Sequence, residues 1–281
     1  MQRLSAWRPR WLSMLRSALV LTLFISLIAS VAAAPTTQAK DSKVVILVYH
    51  RFADRAADSM TVRTDNFEAH LKFLRDNEYQ FRTLSDVVRW LRDPDFVLPP
   101  KVVVLTVDDG HRSVYEVLMP IARREGIPVT LFVYPTAISN AAYALTWEQL
   151  RELRATGLFD IQSHTWWHPD FNTERKRLAP DEFRKFVLTQ FNHSREIIQQ
   201  ETGGRVDLLA WPYGIYDDEL MALAEEAGYV AAFTLQAREV RRDDRLLALP
   251  RFLMVDAITP VVLRRLLGEG MAHVQAASSM P

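Results

Sequence analysis

A chain of 281 residues, 49% hydrophobic and 24% charged, has ordinary globular composition and can bury one large α/β domain or two small ones. Lys plus Arg and Asp plus Glu both number 34, so no bulk electrostatic argument points to nucleic acid as a partner. Cysteine is absent, which excludes disulfides, thiolate metal sites, a Cys nucleophile and a lipid-attachment cysteine together.

The first 34 residues read as an export leader. Arg3, Arg8, Arg10 and Arg16 form a basic region without an acid, an apolar run follows from Ala18 to Ile28, and Ala32-Ala33-Ala34 fits a small-x-small cleavage site before Pro35. An uncleaved membrane anchor is the alternative, because Ala18–Ala34 approaches spanning length. Cleavage would remove four arginines and leave 30 basic against 34 acidic residues, a formal charge of −4. A polar linker is expected at 35–42, one domain at 43–270 and a fraying tail at 271–281.

Beyond the linker, short continuously apolar runs alternate with amphipathic stretches. Strands are expected at Val44–Tyr49, Val102–Val107, Val129–Tyr134, Phe159–Ser163, Leu208–Trp211, Val230–Thr234 and Leu249–Met254, the pattern of a parallel sheet buried on both faces. Asp65 with Glu68, and Thr146 with Gln149, have the spacing of capping boxes. Pro180–Gln200 reads as a long helix ending at Gly203-Gly204, Asp217–Ala227 as one closing at Gly228, and Pro260 opens a last helix. Repeated β-then-α units imply a single (β/α) barrel or an open doubly wound sheet. In either, chemistry gathers at the C-terminal ends of the strands.

Three clusters lie at such ends. Thr106-Val107-Asp108-Asp109-Gly110 sets two adjacent carboxylates beyond a buried strand, which is costly without a cation or hydrogen bonds; an ordinary Asp-Gly turn capping a helix near Ser113 is the plainer alternative. Ser163-His164-Thr165-Trp166-Trp167-His168 spaces two imidazoles as on one side of a helical turn; taken alone it reads more readily as two surface or hydrogen-bonded histidines. With a carboxylate the two complete a His₂-carboxylate set with open positions. Ala210-Trp211-Pro212-Tyr213-Gly214 forms a turn able to present a backbone N–H, or simply a rim loop.

These three motifs, in this order, resemble the NodB-like polysaccharide deacetylases of carbohydrate esterase family 4. Val45–His50 (VILVYH) and the stretch Asn66–Leu84 are similar to the branch that modifies poly-N-acetylglucosamine in biofilm export, and the likeness spans roughly 43–260. The resemblance implies a distorted (β/α)₇ barrel that removes N-acetyl groups from an exported polysaccharide, in the periplasm or outside the cell. It implies a divalent cation on Asp109, His164 and His168 (zinc foremost; Co²⁺, Ni²⁺ or Fe²⁺ also suit), Asp108 as general base and the Tyr213 N–H as oxyanion donor. Polysaccharide is the implied partner, with export or biofilm machinery beside it and a membrane only if the leader is retained. Peptidoglycan, chitin-like oligomers and xylan are alternative substrates, and a weakly catalytic glycan-binding role in an export assembly is the rival.

Two departures from the family pattern stand out. Many members carry Arg two residues before the Pro of the third motif, where this chain has Ala210; Arg251 is the candidate to tether Asp108 instead, against a surface or helix-capping role. On that reading Arg251→Ala lowers turnover far more than stability. The late Leu-x-x-His that protonates the leaving amine is also missing, since His273 lacks that context. His50 and His111 are further rim candidates, and Tyr134, Trp166, Trp167 and Trp211 are expected to offer sugar-stacking faces.

Overall fold

The computed structural model describes residues 42–269; the leader, nearly all of the linker and the tail lie outside them. In chain order the elements are β1 (Lys43–Tyr49), β2 (Arg51–Ala53), β3 (Thr61–Arg63), α1 (Thr64–Asp76), β4 (Gln80–Phe81), α2 (Leu84–Arg92), β5 (Lys101–Val107), α3 (Met119–Glu125), β6 (Val129–Val133), α4 (Trp147–Ala155), β7 (Phe159–Ser163), α5 (Phe171–Arg177), α6 (Pro180–Thr202), β8 (Leu208–Ala210), α7 (Asp218–Glu226), β9 (Ala231–Phe233), β10 (Phe252–Leu253) and α8 (Pro260–Leu266). A π-helical turn over Val114–Leu118 leads into α3.

The main sheet runs β10-β1-β5-β6-β7-β8-β9 with β4 also paired to β5, and every pair is parallel. It is curled rather than flat. Phe132 on β6 and Phe233 on β9, three strands apart in order, bring their rings to 5.6 Å. The segment leading into β10 joins the two sides, since Leu249 bridges Phe233 while Phe252 pairs with Leu47 of β1.

Alternation along each strand explains the two cores. Val45, Leu47, Val103, Leu105, Leu131 and Ile161 face outward against the helices. Val44, Ile46, Val102, Val104, Phe132, Leu208 and Phe233 face inward, with Leu84, Val87 and Trp90 of α2 in the same cluster. Burial on both faces is why the strands read as unbroken apolar runs. The other helices cover the outer face, and the strand ends carry the polar motifs.

Local signals succeed where side chains can cap. Thr146 accepts from Gln149 N and Gln149 returns the bond to Thr146 N, completing the expected box. Thr83 and Asp86 form a second box, at α2. The Asp65–Glu68 box is a correction: α1 begins at Thr64, its N-cap is Arg63, and no side chain caps it. Arg63 instead turns to Asp256, which accepts from its N and Nε.

Candidate active site

The three motifs meet at the C-terminal strand ends, held by unusual backbone. Asp109 (φ 74°), Thr165 (67°), His168 (62°) and Tyr213 (56°) are four of the six non-glycine residues with positive φ among those described. Such residues cost on the order of 1–3 kcal/mol each and persist where surrounding structure over-determines them. Gly110 follows Asp109 at φ 74°, and a Cβ there would stand 3.0 Å from Ile138 Cδ1 and 3.1 Å from Val133 Cγ1. The sharp turn therefore requires glycine.

The two carboxylates sit in different environments. Asp108 is buried, and its N–H donates to Tyr49 O across the β1–β5 ladder. Arg251, fully buried, donates from Nη1 to Asp108 Oδ1 and from Nη2 to Oδ2, both at 2.8 Å. Its Nε donates to Thr234 O and its Nη1 also to Thr106 Oγ1, and its guanidinium carbon lies 5.5 Å from the Phe132 ring centre. Burial alone would raise the Asp108 pKa, but the Arg251 guanidinium, with His164 and His50 nearby, holds it down at about 2. Arg251 is neither a surface nor a capping residue. Because both partners of the pair are buried, loss of Arg251 is expected to cost stability as well as turnover.

Asp109 opens toward the histidines. Its Oδ1 lies 3.7 Å from His164 Nε2 and 3.9 Å from His168 Nε2, and the three residues offer donor atoms within 4.8 Å of one another. Two donors bonded at about 2.1 Å to one tetrahedral cation stand roughly 3.4 Å apart, so this spacing fits after a small inward adjustment. His164 Nδ1 donates to Ala210 O at 2.8 Å, which leaves its Nε2 lone pair facing the carboxylates. Burial and the neighbouring His164 hold His168 down to about 4, so its ring is neutral at pH 7 and free to ligate. The donor set suits a divalent cation.

The His-x-x-x-His segment is a loop, not the expected helical turn. Thr165 and His168 are left-handed, Thr165 Oγ1 accepts from His168 N, and Ser163 Oγ accepts from Thr165 N. Pro169, which disfavours helix at the residue before it, was the legible signal. Tyr213 and Gly214 are also left-handed; the turn's bonds run from Gly214 N to Trp211 O and from Ile215 N to Pro212 O. Exposed Tyr213 sets its ring edge-on to His168 at 4.5 Å.

The aromatic expectations divide. Tyr134 stands 5.5 Å from the His168 ring. Trp166 and Trp167 turn toward α6, packing on His193 and Phe186. Trp167 stays exposed at the rim. Trp211 as a sugar platform is a correction: it is 1% exposed, packs on Phe191, and its Nε1 donates to Leu247 O. It begins outside the strand end but its ring folds back into the core. His50 stands beside Asp108, since Tyr49 pairs with Val107, and its Nδ1 is buried without a partner. Burial lowers its pKa against the pull of Asp108 and Asp109. His273 lies outside the described residues. Tyr143, which no motif marked, lies exposed on the rim.

Residues 97–232 match the polysaccharide deacetylase family. The chain is 29% identical over 212 residues to YxkH of Bacillus subtilis (strain 168), covering 75% of this chain and 71% of that protein. It is 21% identical over 222 residues to the poly-β-1,6-N-acetyl-D-glucosamine N-deacetylase of Staphylococcus aureus (strain MRSA252), covering 78% and 76%. The Streptococcus pyogenes deacetylase PplD, solved in complex with acetate, superposes with TM-score 0.70 at 25% identity, over 80% of this chain and 98% of that one. IcaB from Ammonifex degensii shares the fold at TM-score 0.71 and 22% identity, over 81% and 97%. Residues 97–232 thus carry a polysaccharide deacetylase domain.

Proposed function

We propose that this chain is a metal-dependent N-deacetylase of an exported, poly-N-acetylglucosamine-like polysaccharide, built on a distorted (β/α)₇ barrel and acting in the periplasm or outside the cell. One observation carries the catalytic part: a second carboxylate, Asp108, is held ionised by buried Arg251 beside the Asp109–His164–His168 set. A module that only bound a cation would need the three donors and have no use for that pair. The similarity to the Staphylococcus aureus enzyme supports the choice of polymer.

Asp109, His164 and His168 would hold the cation, and zinc is our assignment for a His₂-carboxylate set, with cobalt, nickel and ferrous iron compatible with the same donors. When bound, a divalent ion supplies Lewis-acid polarisation of the acetamide carbonyl and lowers the pKa of water. Asp108 takes the proton from the attacking water, and Arg251 keeps both its oxygens oriented. The Tyr213 N–H, on its strained turn, receives the developing oxyanion. Asp108, once it holds the water's proton, returns it to the departing amine nitrogen as the C–N bond breaks. The products are acetate and a free amine on the sugar. Export and biofilm machinery are the fitting assembly partners for such a product.

Acetate release from a panel of N-acetylated glycans, each with zinc, cobalt and nickel, tests the proposal. Wild type should release acetate, and Asp108→Asn should bind metal equally but lose about 10²–10⁴-fold in turnover. Wild type and Asp108→Asn both silent on every glycan, with equal metal content, would leave a binding protein instead.

A further inference from the structure

A row of rings crosses the strand ends, running from His168 and Tyr213 of the reaction site to rings outside it. His111 follows β5, Tyr134 follows β6, His168 follows β7 and Tyr213 follows β8. Consecutive members touch or are bridged. The His111 ring lies parallel to Tyr143, with 10° between planes and 6.3 Å between centres. Tyr143 Oη meets Tyr134 Oη, Tyr134 stands 5.5 Å from His168, and His168 stands 4.5 Å from Tyr213. Four adjacent strands span three separations of about 4.8 Å, wider than one hexose ring.

The far end of this row is held firmly to the site. Leu145 N donates to Gly110 O, Arg112 N donates to Tyr143 O, and Ala144 forms an antiparallel bridge with His111. The loop bearing Tyr143 is thus bonded to the turn bearing Asp108 and Asp109. His111 is also fixed in one protonation state. Its Nδ1 accepts from Ser113 N at 3.1 Å and lies 2.9 Å from Ser113 Oγ, so the ring proton sits on Nε2. Nε2–H has no hydrogen-bond partner among the described residues. The unit combines an exposed aromatic face, a fixed N–H donor and a phenol pair. A flat apolar sugar face with hydroxyls at its edge matches that chemistry.

We infer that Tyr143, Tyr134 and His111 form a second sugar subsite, binding the residue next to the one whose acetamide reaches the Asp109–His164–His168 set, and so make the protein select for chains over single sugars. This rests on the deacetylase proposal for the register of the sugar, while the subsite itself rests on the rings. Tyr143 supplies the stacking face, and Tyr134 and His111 supply the edge contacts.

The test uses β-1,6-linked N-acetylglucosamine as monomer and pentamer, with Tyr143→Ala and Tyr143→Phe. In wild type kcat/KM rises from monomer to pentamer. Tyr143→Ala should cut the pentamer-to-monomer ratio about tenfold, from the loss of one stacked ring. Tyr143→Phe, which keeps the ring, should retain most of the ratio. A loss equal at both lengths, or an unchanged ratio, overturns the subsite and leaves Tyr143 a structural residue of its loop. Calorimetric titration with the pentamer separates this from the deacetylase proposal, because it reads binding without turnover. Pentamer bound without acetate release, and bound more weakly by Tyr143→Ala, would sink the deacetylase assignment and support the subsite. Equal Kd values for wild type and Tyr143→Ala would sink the subsite whatever the activity.

Discussion

Arg251→Ala probes the buried pair most directly. The substitution removes two 2.8 Å charge-assisted bonds and leaves the Asp108 carboxylate, 2% exposed, without a counter-charge. Breaking a buried pair from one side costs about 3–5 kcal/mol, because the surviving charge stays desolvated. For a domain of this size each kcal/mol moves the melting temperature by about 2–4 °C, so the midpoint should fall by roughly 6–20 °C. Arg251→Lys keeps the charge but cannot span both carboxylate oxygens while reaching Thr234 O, and should fall between wild type and Arg251→Ala. Adding Asp108→Asn to Arg251→Ala removes the stranded charge, so the double variant should be more stable than Arg251→Ala alone by at least about 1 kcal/mol. Thermal melts of wild type, Arg251→Ala, Arg251→Lys, Asp108→Asn and the double variant check these values, with acetate release measured per folded molecule well below the lowest midpoint. Turnover of Arg251→Ala should drop about 10²-fold or more as the base loses its orientation. An Arg251→Ala midpoint within about 2 °C of wild type, with Asp108→Asn acting additively, would refute the buried-pair reasoning.

Glu269 accepts from Lys43, Lys101 and Tyr79, tying the end of the described chain to the starts of β1 and β5. Burial would raise its pKa, but these three donors bring it from 4.5 to about 2. A depressed folded pKa contributes stability that is present above the unfolded value and lost as pH falls through the folded one. Glu269→Gln should therefore be less stable by about 1–2 kcal/mol at pH 7, after discounting the partly exposed lysines, with the gap closing between pH 4.5 and about 2. A gap independent of pH would refute the assignment. Chelation should abolish acetate release and lower the melting temperature of wild type, with zinc at about a hundred times its Kd restoring about 2.7 kcal/mol. The same titration should leave His164→Ala unmoved, and a shift of equal size there would exclude that ligand. Trp211→Ala should cost about 3–5 kcal/mol as a core cavity, and unfolding midpoints in urea report it. A loss under about 1 kcal/mol would show that the indole is not packed as described.

Much of the scaffold was readable in advance because it rests on short-range rules. Apolar runs such as Val102–Val107 are strands because both faces of a curled parallel sheet are buried. Gly203 and Gly228 end helices because the left-handed conformation there suits glycine. The acidic, histidine and Pro-Tyr clusters stood out because they follow such runs directly. The two-residue strand Gln80–Phe81 and the uncapped start of α1 were not readable, since the strand's pairing partner and Arg63–Asp256 lie far apart in the chain, and the run Leu249–Met254 forms a strand only over Phe252–Leu253.

The sequence by itself determined which residue types stand at the strand ends, and in what order. Only the tertiary structure decided what they do to one another. Arg251 meets Asp108 across 143 positions because both point into the curled sheet. Trp211 leaves the rim for the core because Phe191 and Leu247 O receive it there. Tyr143 joins the site because its loop is hydrogen-bonded to Gly110 and Arg112. Local propensity acts over a few residues, whereas burial, charge pairing and ring contact depend on which distant segments the sheet brings together.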